Sequence, residues 1–364
     1  MTGHISSEIS RVLVALSGGV DSAIAAHLLK SKGMDVSATY MRTWQNEDGF
    51  GECPWREDLE SARAVAEFLD IPFAIVSMIE KYRHFVVEPL IDGYHSGITP
   101  NPDILCNQFI KFGALLEYAR GNGFSHLATG HYCRIEEENG QFFLLEGVDG
   151  TKDQSYFLSR MDGGALLHVL FPVGELLKTE VRDLAKKIGL PNAKRRESQD
   201  ICFLGGKVSL QDFLRSHLAE EPGEIVTPNG KVLGRHKGLY RYTLGQCKGI
   251  GLPSNCDFEK FVVIGKNLAK NQLVVAFESD PQNGLAVDSV KLMNVHFLSE
   301  PLVGRRRLLA KVRYRDPAIP VEILFYPNRR AIVKFFQTQR ALAPGQTCAI
   351  YDGPRLIGSG IYES

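Results

Sequence analysis

The first part of the chain alternates apolar runs with amphipathic stretches. Residues 11–16 (RVLVAL) form a short apolar run ended by Gly-Gly, the pattern of a strand buried on both faces. Between Asp21 and Lys32, Ile24, Leu28 and Leu29 share one helical face and Gly33 supplies the stop. Val36, Ala38 and Tyr40 alternate as a second strand. Leu59, Ala62, Val65, Ala66 and Leu69 mark a second amphipathic helix, followed by the strand-like PFAIVSM at 72–78. The spacing predicts a further helix over 107–120 and a strand over 126–132 (HLATGHY). Repeated strand–helix units predict an α/β fold with a doubly wound parallel sheet.

After about residue 205 the pattern shortens. EIVTPNGKVLG, FVVIGKN, NQLVVAF, LLAKVRYR, VEILFYPN, AIVKFF, TCAIYDG and LIGSGIY alternate with period two between Pro, Gly and Asn breaks. This predicts antiparallel β-structure arranged as small barrels. VTPNGKV and FYPNRRAI read as hairpins around Pro-Asn turns, and PQNG at 281–284 reads as a boundary between two β modules. Three domains are expected: an α/β domain over 1–205, a small central β domain over 206–280, and a C-terminal β-barrel over 281–364.

Composition narrows the class. The chain has 364 residues, 44 % hydrophobic and 23 % charged, which is globular rather than disordered. No apolar run approaches the roughly 18 residues that span a bilayer. The N-terminal MTGHISSEIS lacks a basic start followed by an apolar run, so the expected location is cytoplasmic. Charge is balanced, 42 basic against 42 acidic residues, but unevenly placed. Residues 301–342 hold ten Lys and Arg against two acids, and 225–248 hold five against none. Tyr and Phe are interleaved in both stretches, an RNA-binding pattern. Seven cysteines lie at 53, 106, 133, 202, 247, 256 and 348. No pair is spaced C-x-x-C, so neither a zinc ribbon nor a thioredoxin-like motif is supported. An odd count in a chain of this size points to reduced thiols, some of them reactive.

The sharpest chemical signal is LSGGVDS at 16–22, between a strand and a helix. Gly18 and Gly19 permit a tight turn and close approach to a ligand. Backbone N–H groups and the helix N-terminus then face an anion such as phosphate. Ser17 and Ser22 add hydroxyls, and Asp21 suits Mg²⁺. The motif resembles the PP-loop of ATP pyrophosphatases, which split ATP to AMP and pyrophosphate while adenylating a substrate oxygen. That likeness alone leaves amide-forming ligases and tRNA thiolases open.

Further motifs choose between them. TPNPDILCNQFIKF at 99–112 carries Cys106 and SQDICFL at 198–204 carries Cys202. With ATGHY at 128–132, KDQSYFL at 152–158, YTLGQCKGIG at 242–251, AKVRYR at 310–315 and APGQ at 343–346, they closely resemble the bacterial tRNA-specific 2-thiouridylase family, from Arg11 to Tyr362. The resemblance implies ATP-dependent replacement of the C2 oxygen of a tRNA wobble uridine by sulfur. It implies that Cys202 receives a persulfide from a sulfur-donor protein of the cysteine desulfurase or sulfur-relay type. Cys106 is then the second thiol, which attacks the sulfur chain or forms a disulfide with Cys202. Asp103 is a candidate general acid/base. ATP contacts are implied at Ala15, Leu16, Ser17, Gly18, Gly19, Val20, Asp21, Ser22, Met41 and Gly130, with Mg²⁺ as companion. Target-base contacts are implied at Asn101, Pro102 and Asp103. Contacts with tRNA are implied at His131, Lys152, Asp153, Gln154, Arg313, Tyr314 and Gln346. Without the resemblance, Met41 reads as core filler and His131 as a hydrogen-bonded core histidine. A monomer without membrane contact is expected. Two positions depart from the family: Cys247 stands where Arg is usual, and GSG at 358–360 replaces a run of glycines.

Overall fold

The computed structural model describes residues 11–45, 55–196, 209–252 and 259–363. Cys53, Cys202 and Cys256 lie outside the described residues. The first strands and helices are β1 (Arg11–Ala15), α1 (Val20–Ser31), β2 (Asp35–Arg42), α2 (Trp55–Phe68) and β3 (Phe73–Ser77). A helical region follows: α3 (Ile79–Tyr82), α4 (Glu88–His95), α5 (Pro102–Leu105) and α6 (Leu116–Gly121), with π-helical stretches at Arg83–Val87 and Cys106–Leu115. Then come β4 (His126–Ala128), β5 (Cys133–Glu138), β6 (Gln141–Glu146), β7 (Val169–Leu170), α7 (Lys178–Lys187) and α8 (Leu210–His217).

The parallel sheet has the order β3-β2-β1-β4-β7. The chain runs outward from β1 to β3, then crosses back to β4 on the other side of β1. This reversal makes a topological switch point between β1 and β4, where α/β sheets open a ligand crevice. Strand alternation explains the two layers. Val12 and Val14 face a core with Ala23, Ala26, Ala62 and Ala185, from α1, α2 and α7. Leu13 and Leu127 face the opposite core with Leu90, Ile110 and Leu115. Small residues on α1 allow it to pack between the sheet and α7, so it is buried more widely than its predicted single face.

The second half is β8 (Gly223–Val226), β9 (Val232–His236), β10 (Phe261–Asn267) and β11 (Gln272–Phe277), forming one sheet of order β10-β11-β8-β9. A second sheet uses β12 (Ala286–Phe297), β13 (Gly304–Lys311), β14 (Ile319–Tyr326), β15 (Arg330–Arg340), β16 (Thr347–Asp352) and β17 (Arg355–Tyr362). Pairing of β12 with both β15 and β17 closes these six strands into a barrel. Both predicted Pro-Asn hairpins form, β8–β9 and β14–β15.

Three expectations need correction. The strand predicted over 126–132 ends at Ala128, because the chain must leave the sheet to bring Gly130 against the loop after β1. The stretch LLAKVRYR leaves its strand at Lys311, and Arg315 adopts a left-handed φ of 70°. A hairpin, β5–β6, was not foreseen. It turns on Asn139 and Gly140, both at positive φ (53° and 78°), as a tight hairpin turn requires. It extends the barrel sheet through Leu145 opposite Arg355, joining the α/β region to the C-terminal one.

Candidate active site

The loop after β1 is built around its own hydroxyls. Leu16 N–H still donates to Thr39 O at 2.8 Å, anchoring the loop to β2. Ser17 N–H donates to Ser22 Oγ at 3.2 Å, and Ser22 Oγ donates to Gly19 O at 3.1 Å. Gly18 has φ of 80°, and a Cβ there would collide with the Asp58 carbonyl. Glycine is therefore required by both conformation and space. Val20 opens α1 without a side-chain cap, so the first N–H groups of that helix remain for a ligand. Ala15 ends β1, and Met41 lies near the end of adjacent β2, half-buried. Across the switch point, Gly130 comes so close that a Cβ would lie 2.6 Å from Ser22 N and 2.7 Å from the Asp21 carbonyl carbon.

Asp21 is not an open carboxylate. Lys178 Nζ, from the first position of α7, donates to its two oxygens at 2.7 and 2.8 Å. Tyr132 Oη donates to Oδ1 at 2.8 Å. Among the described residues no group of three or more His, Cys, Asp or Glu could hold a metal. A Mg²⁺ ion at Asp21 would take its remaining ligands from the phosphates of a bound nucleotide. Sequence reading missed Lys178, and no local signal marks it.

The thiol site begins at α5. Asn101 Oδ1 caps the helix, accepting from Asp103 N–H at 3.1 Å and Ile104 N–H at 3.2 Å, with Pro102 at the first helical position. Cys106 follows one turn after Asp103, buried at the start of the π-helical stretch. Such wide turns concentrate at functional sites. The helix predicted over 107–120 thus starts earlier and is partly π-helical. Burial raises the Asp103 pKa, with Lys111 opposing. His131 is buried between Phe112 and Phe171, with ring centroids at 5.6 and 6.2 Å, and its Nδ1 lies 2.7 Å from Thr129 Oγ1. Burial, then Lys111, holds its pKa well below the usual value, so it is neutral at pH 7. Lys111 thus acts electrostatically on both Asp103 and His131, and His131 adjoins Gly130 of the loop site.

The other described thiols are unsuited to attack. Burial holds the Cys133 pKa well above normal and pushes Cys348 up to about 12. Cys247, raised by burial and then by Glu278, sits 3.6 Å from Gly245 O.

The expected RNA contacts separate into groups. Arg313 is exposed, but its guanidinium donates to the Arg340 and Ala341 carbonyls. Tyr314 packs on Phe157 with ring centroids 4.2 Å apart, and Phe157 O accepts from Asn107 Nδ2 at 3.3 Å, beside Cys106. Gln346 Nε2 donates to Thr99 O at 2.7 Å, just before the thiol helix. Gln154 Oε1 accepts from Tyr132 N–H, and Lys152 is half-buried. The Asp153 side chain is turned inward. It is buried, and its carboxylate receives Gly147 N–H, Ser155 N–H, Ser155 Oγ and Lys311 Nζ. That side chain fastens the barrel to the α/β domain. Lys311 is likewise withdrawn from the basic surface counted in the sequence.

The chain matches three family descriptions in series: a tRNA methyl transferase HUP domain over residues 10–206, a tRNA methyl transferase PRC-barrel domain over 211–277, and an aminomethyltransferase beta-barrel domain over 287–362. It is 44 % identical over 357 residues to tRNA-specific 2-thiouridylase MnmA of Akkermansia muciniphila, covering 98 % of this chain and 99 % of that one. It is 41 % identical to the protein of the same name from Methylobacillus flagellatus, covering 97 % and 99 %. With MnmA 1 of Geobacillus kaustophilus the identity is 42 %, covering 97 % and 95 %. The chain belongs to the tRNA-specific 2-thiouridylase family.

Proposed function

We propose that this protein catalyses ATP-dependent 2-thiolation of the wobble uridine of tRNA. The observation that carries the reading is the close approach of Gly130 to the phosphate loop, with the thiol helix in electrostatic reach. Gly130 adjoins the loop, His131 follows it, Lys111 acts electrostatically on both His131 and Asp103, and Cys106 is one turn beyond Asp103.

In this reading the N–H groups of Gly19 and α1 bind the triphosphate, with Lys178 adding positive charge. Mg²⁺ arrives with the nucleotide as part of the substrate. The uridine C2 oxygen attacks the α-phosphorus and pyrophosphate leaves. Asp103, its pKa raised by burial, is suited to hold or release a proton beside the base. Cys202 carries a persulfide from a sulfur-donor protein. The Cys106 thiolate attacks the Cys202 sulfur, the sulfur–sulfur bond breaks, and hydrosulfide leaves. Hydrosulfide attacks C2, AMP departs, and a Cys106–Cys202 disulfide remains for an external dithiol to reduce. A neutral His131 places no second cation beside the developing sulfide. Arg313, Tyr314 and Gln346, where barrel and thiol helix meet, are assigned to the anticodon arm. The domain limits 1–205, 206–280 and 281–364 divide the work into activation and RNA holding, and the protein acts as a cytoplasmic monomer.

The test is mass spectrometry of tRNA nucleosides after incubation with ATP and a sulfide or persulfide source. Wild type should yield 2-thiouridine with stoichiometric AMP, and Cys106→Ser and Cys202→Ser should not when persulfide is the donor. Folded enzyme that produces no 2-thiouridine would overturn the reading.

A further inference from the structure

Three donors converge on the carbonyl of Gly18. Ser61 Oγ lies at 2.8 Å, Asn192 Nδ2 at 2.9 Å and Arg195 Nη1 at 3.2 Å. A carbonyl has two lone pairs, so three donors, one cationic, exceed its ordinary complement. The opposite end of the same peptide is Gly19 N–H, which points away from the carbonyl in a trans unit. That N–H has only a long contact, 3.4 Å to Ser17 Oγ, and so remains able to meet an anion in the loop. A cation on the carbonyl draws electron density through the peptide and strengthens the N–H as a donor.

The arrangement is held from behind. Asp58 pairs with Arg195 Nη2, and Arg182 Nη1, from α7, donates to the Arg195 carbonyl at 2.6 Å. The missing Gly18 side chain is what admits Arg195, since a Cβ there would lie 2.7 Å from Nη1. Asn192 is buried, and its Oδ1 has no partner among the described residues, so the amide is oriented by its bond to Gly18.

Resting on the nucleotide site proposed above, we infer that Arg195, fixed by Asp58 and seconded by Asn192, is a positioning residue for pyrophosphate-bearing ligands. It acts through the Gly18 carbonyl to aim and strengthen the Gly19 N–H. It needs no contact with the nucleotide itself.

The test uses the full chain and isothermal calorimetry with ATP, inorganic pyrophosphate and AMP, beside tRNA binding. Arg195→Gln should weaken ATP and pyrophosphate about tenfold, a loss of about 1.4 kcal/mol. AMP and tRNA affinities should stay within about twofold, because adenine and RNA contacts are elsewhere. Asp58→Asn should do the same, and the double variant should be little worse than either single one. Arg195→Lys, which keeps the cation, should recover most of the loss and carries the test if Arg195→Gln misfolds. Equal weakening of AMP and ATP, or unchanged ATP binding in Arg195→Gln, overturns the inference. If wild type binds no ATP at all, the proposed function fails first and this inference with it.

Discussion

Lys311→Met removes the cation that fastens the C-terminal barrel to the α/β domain. Lys311 Nζ lies 2.7 Å from both Asp153 Oδ2 and Glu146 Oε1, and 5.1 Å from the centre of the Tyr351 ring. The Lys311 side chain is 12 % exposed and that of Asp153 3 %, so water cannot replace the lost charge at Asp153. Methionine fills most of the stem volume, leaving electrostatics as the main change. Removing one partner of a buried pair costs about 3–5 kcal/mol. Asp153 keeps three neutral donors, and Glu146 is partly open to water, so the lower end, about 3 kcal/mol, is expected. For domains of this size that lowers Tm by roughly 6–12 °C. Burial opposes the Lys311 charge, but its bonds to Asp153 and Glu146 outweigh this and raise its pKa. A raised lysine pKa stabilises throughout the range below the unfolded value and is lost only as pH rises through the native one. The contribution is therefore fully present at pH 7. Calorimetric melting of wild type, Lys311→Met, Asp153→Asn and the double variant measures it, with a coupling of about 2 kcal/mol expected. A melting point for Lys311→Met within about 2 °C of wild type, or strictly additive losses, would refute the reasoning.

Four other outcomes are expected. Lys178→Met takes two charged hydrogen bonds from Asp21 and should weaken ATP about 30-fold by calorimetry, with tRNA affinity unchanged. Gly130→Ala sets a methyl against the Ser22 N–H and Asp21 backbone and should abolish ATP binding while leaving tRNA retention in filter binding intact. Asp103→Asn removes a carboxyl whose pKa burial raises, so ionising it in the native state costs stability as pH rises. The variant should melt no lower than wild type at pH 8 while thiolation falls about 100-fold. His131, held well below its ordinary pKa of 6.5, binds fewer protons folded than unfolded, so stability should fall as pH drops below 6.5. His131→Gln should flatten that part of the Tm-against-pH curve.

Much of the architecture is written in local pattern. A run such as RVLVAL, apolar through its centre and ended by Gly-Gly, reads as an inner strand, and SGGVDS after it reads as a tight turn into a helix. Pro-Asn turns between period-two segments specify hairpins, because turn and alternation depend on residues a few positions apart. The charge count also marked a basic barrel, but not which cations face solvent. Lys311 is buried against two acids, whereas Arg313 stays exposed while its guanidinium donates to backbone carbonyls. The β5–β6 hairpin had an Asn-Gly signal, yet nothing local says that Leu145 pairs with Arg355.

The same division runs through the site. The glycines, serines and acid of the phosphate loop and the thiol at Cys106 follow from the sequence, since adjacent residues make them, whereas the Asn101-capped start of the thiol helix lies ahead of the 107–120 that periodicity marks. Lys178 on Asp21, Arg195 and Asn192 on Gly18, and Asp153 beneath the barrel do not. These partners are 157, 177, 174 and 158 residues apart, and only the packing of whole layers brings them together. A sequence pattern records which face a residue turns inward. Which opposite charge it meets there is decided by the tertiary fold, because a buried charge must find its partner wherever the chain returns.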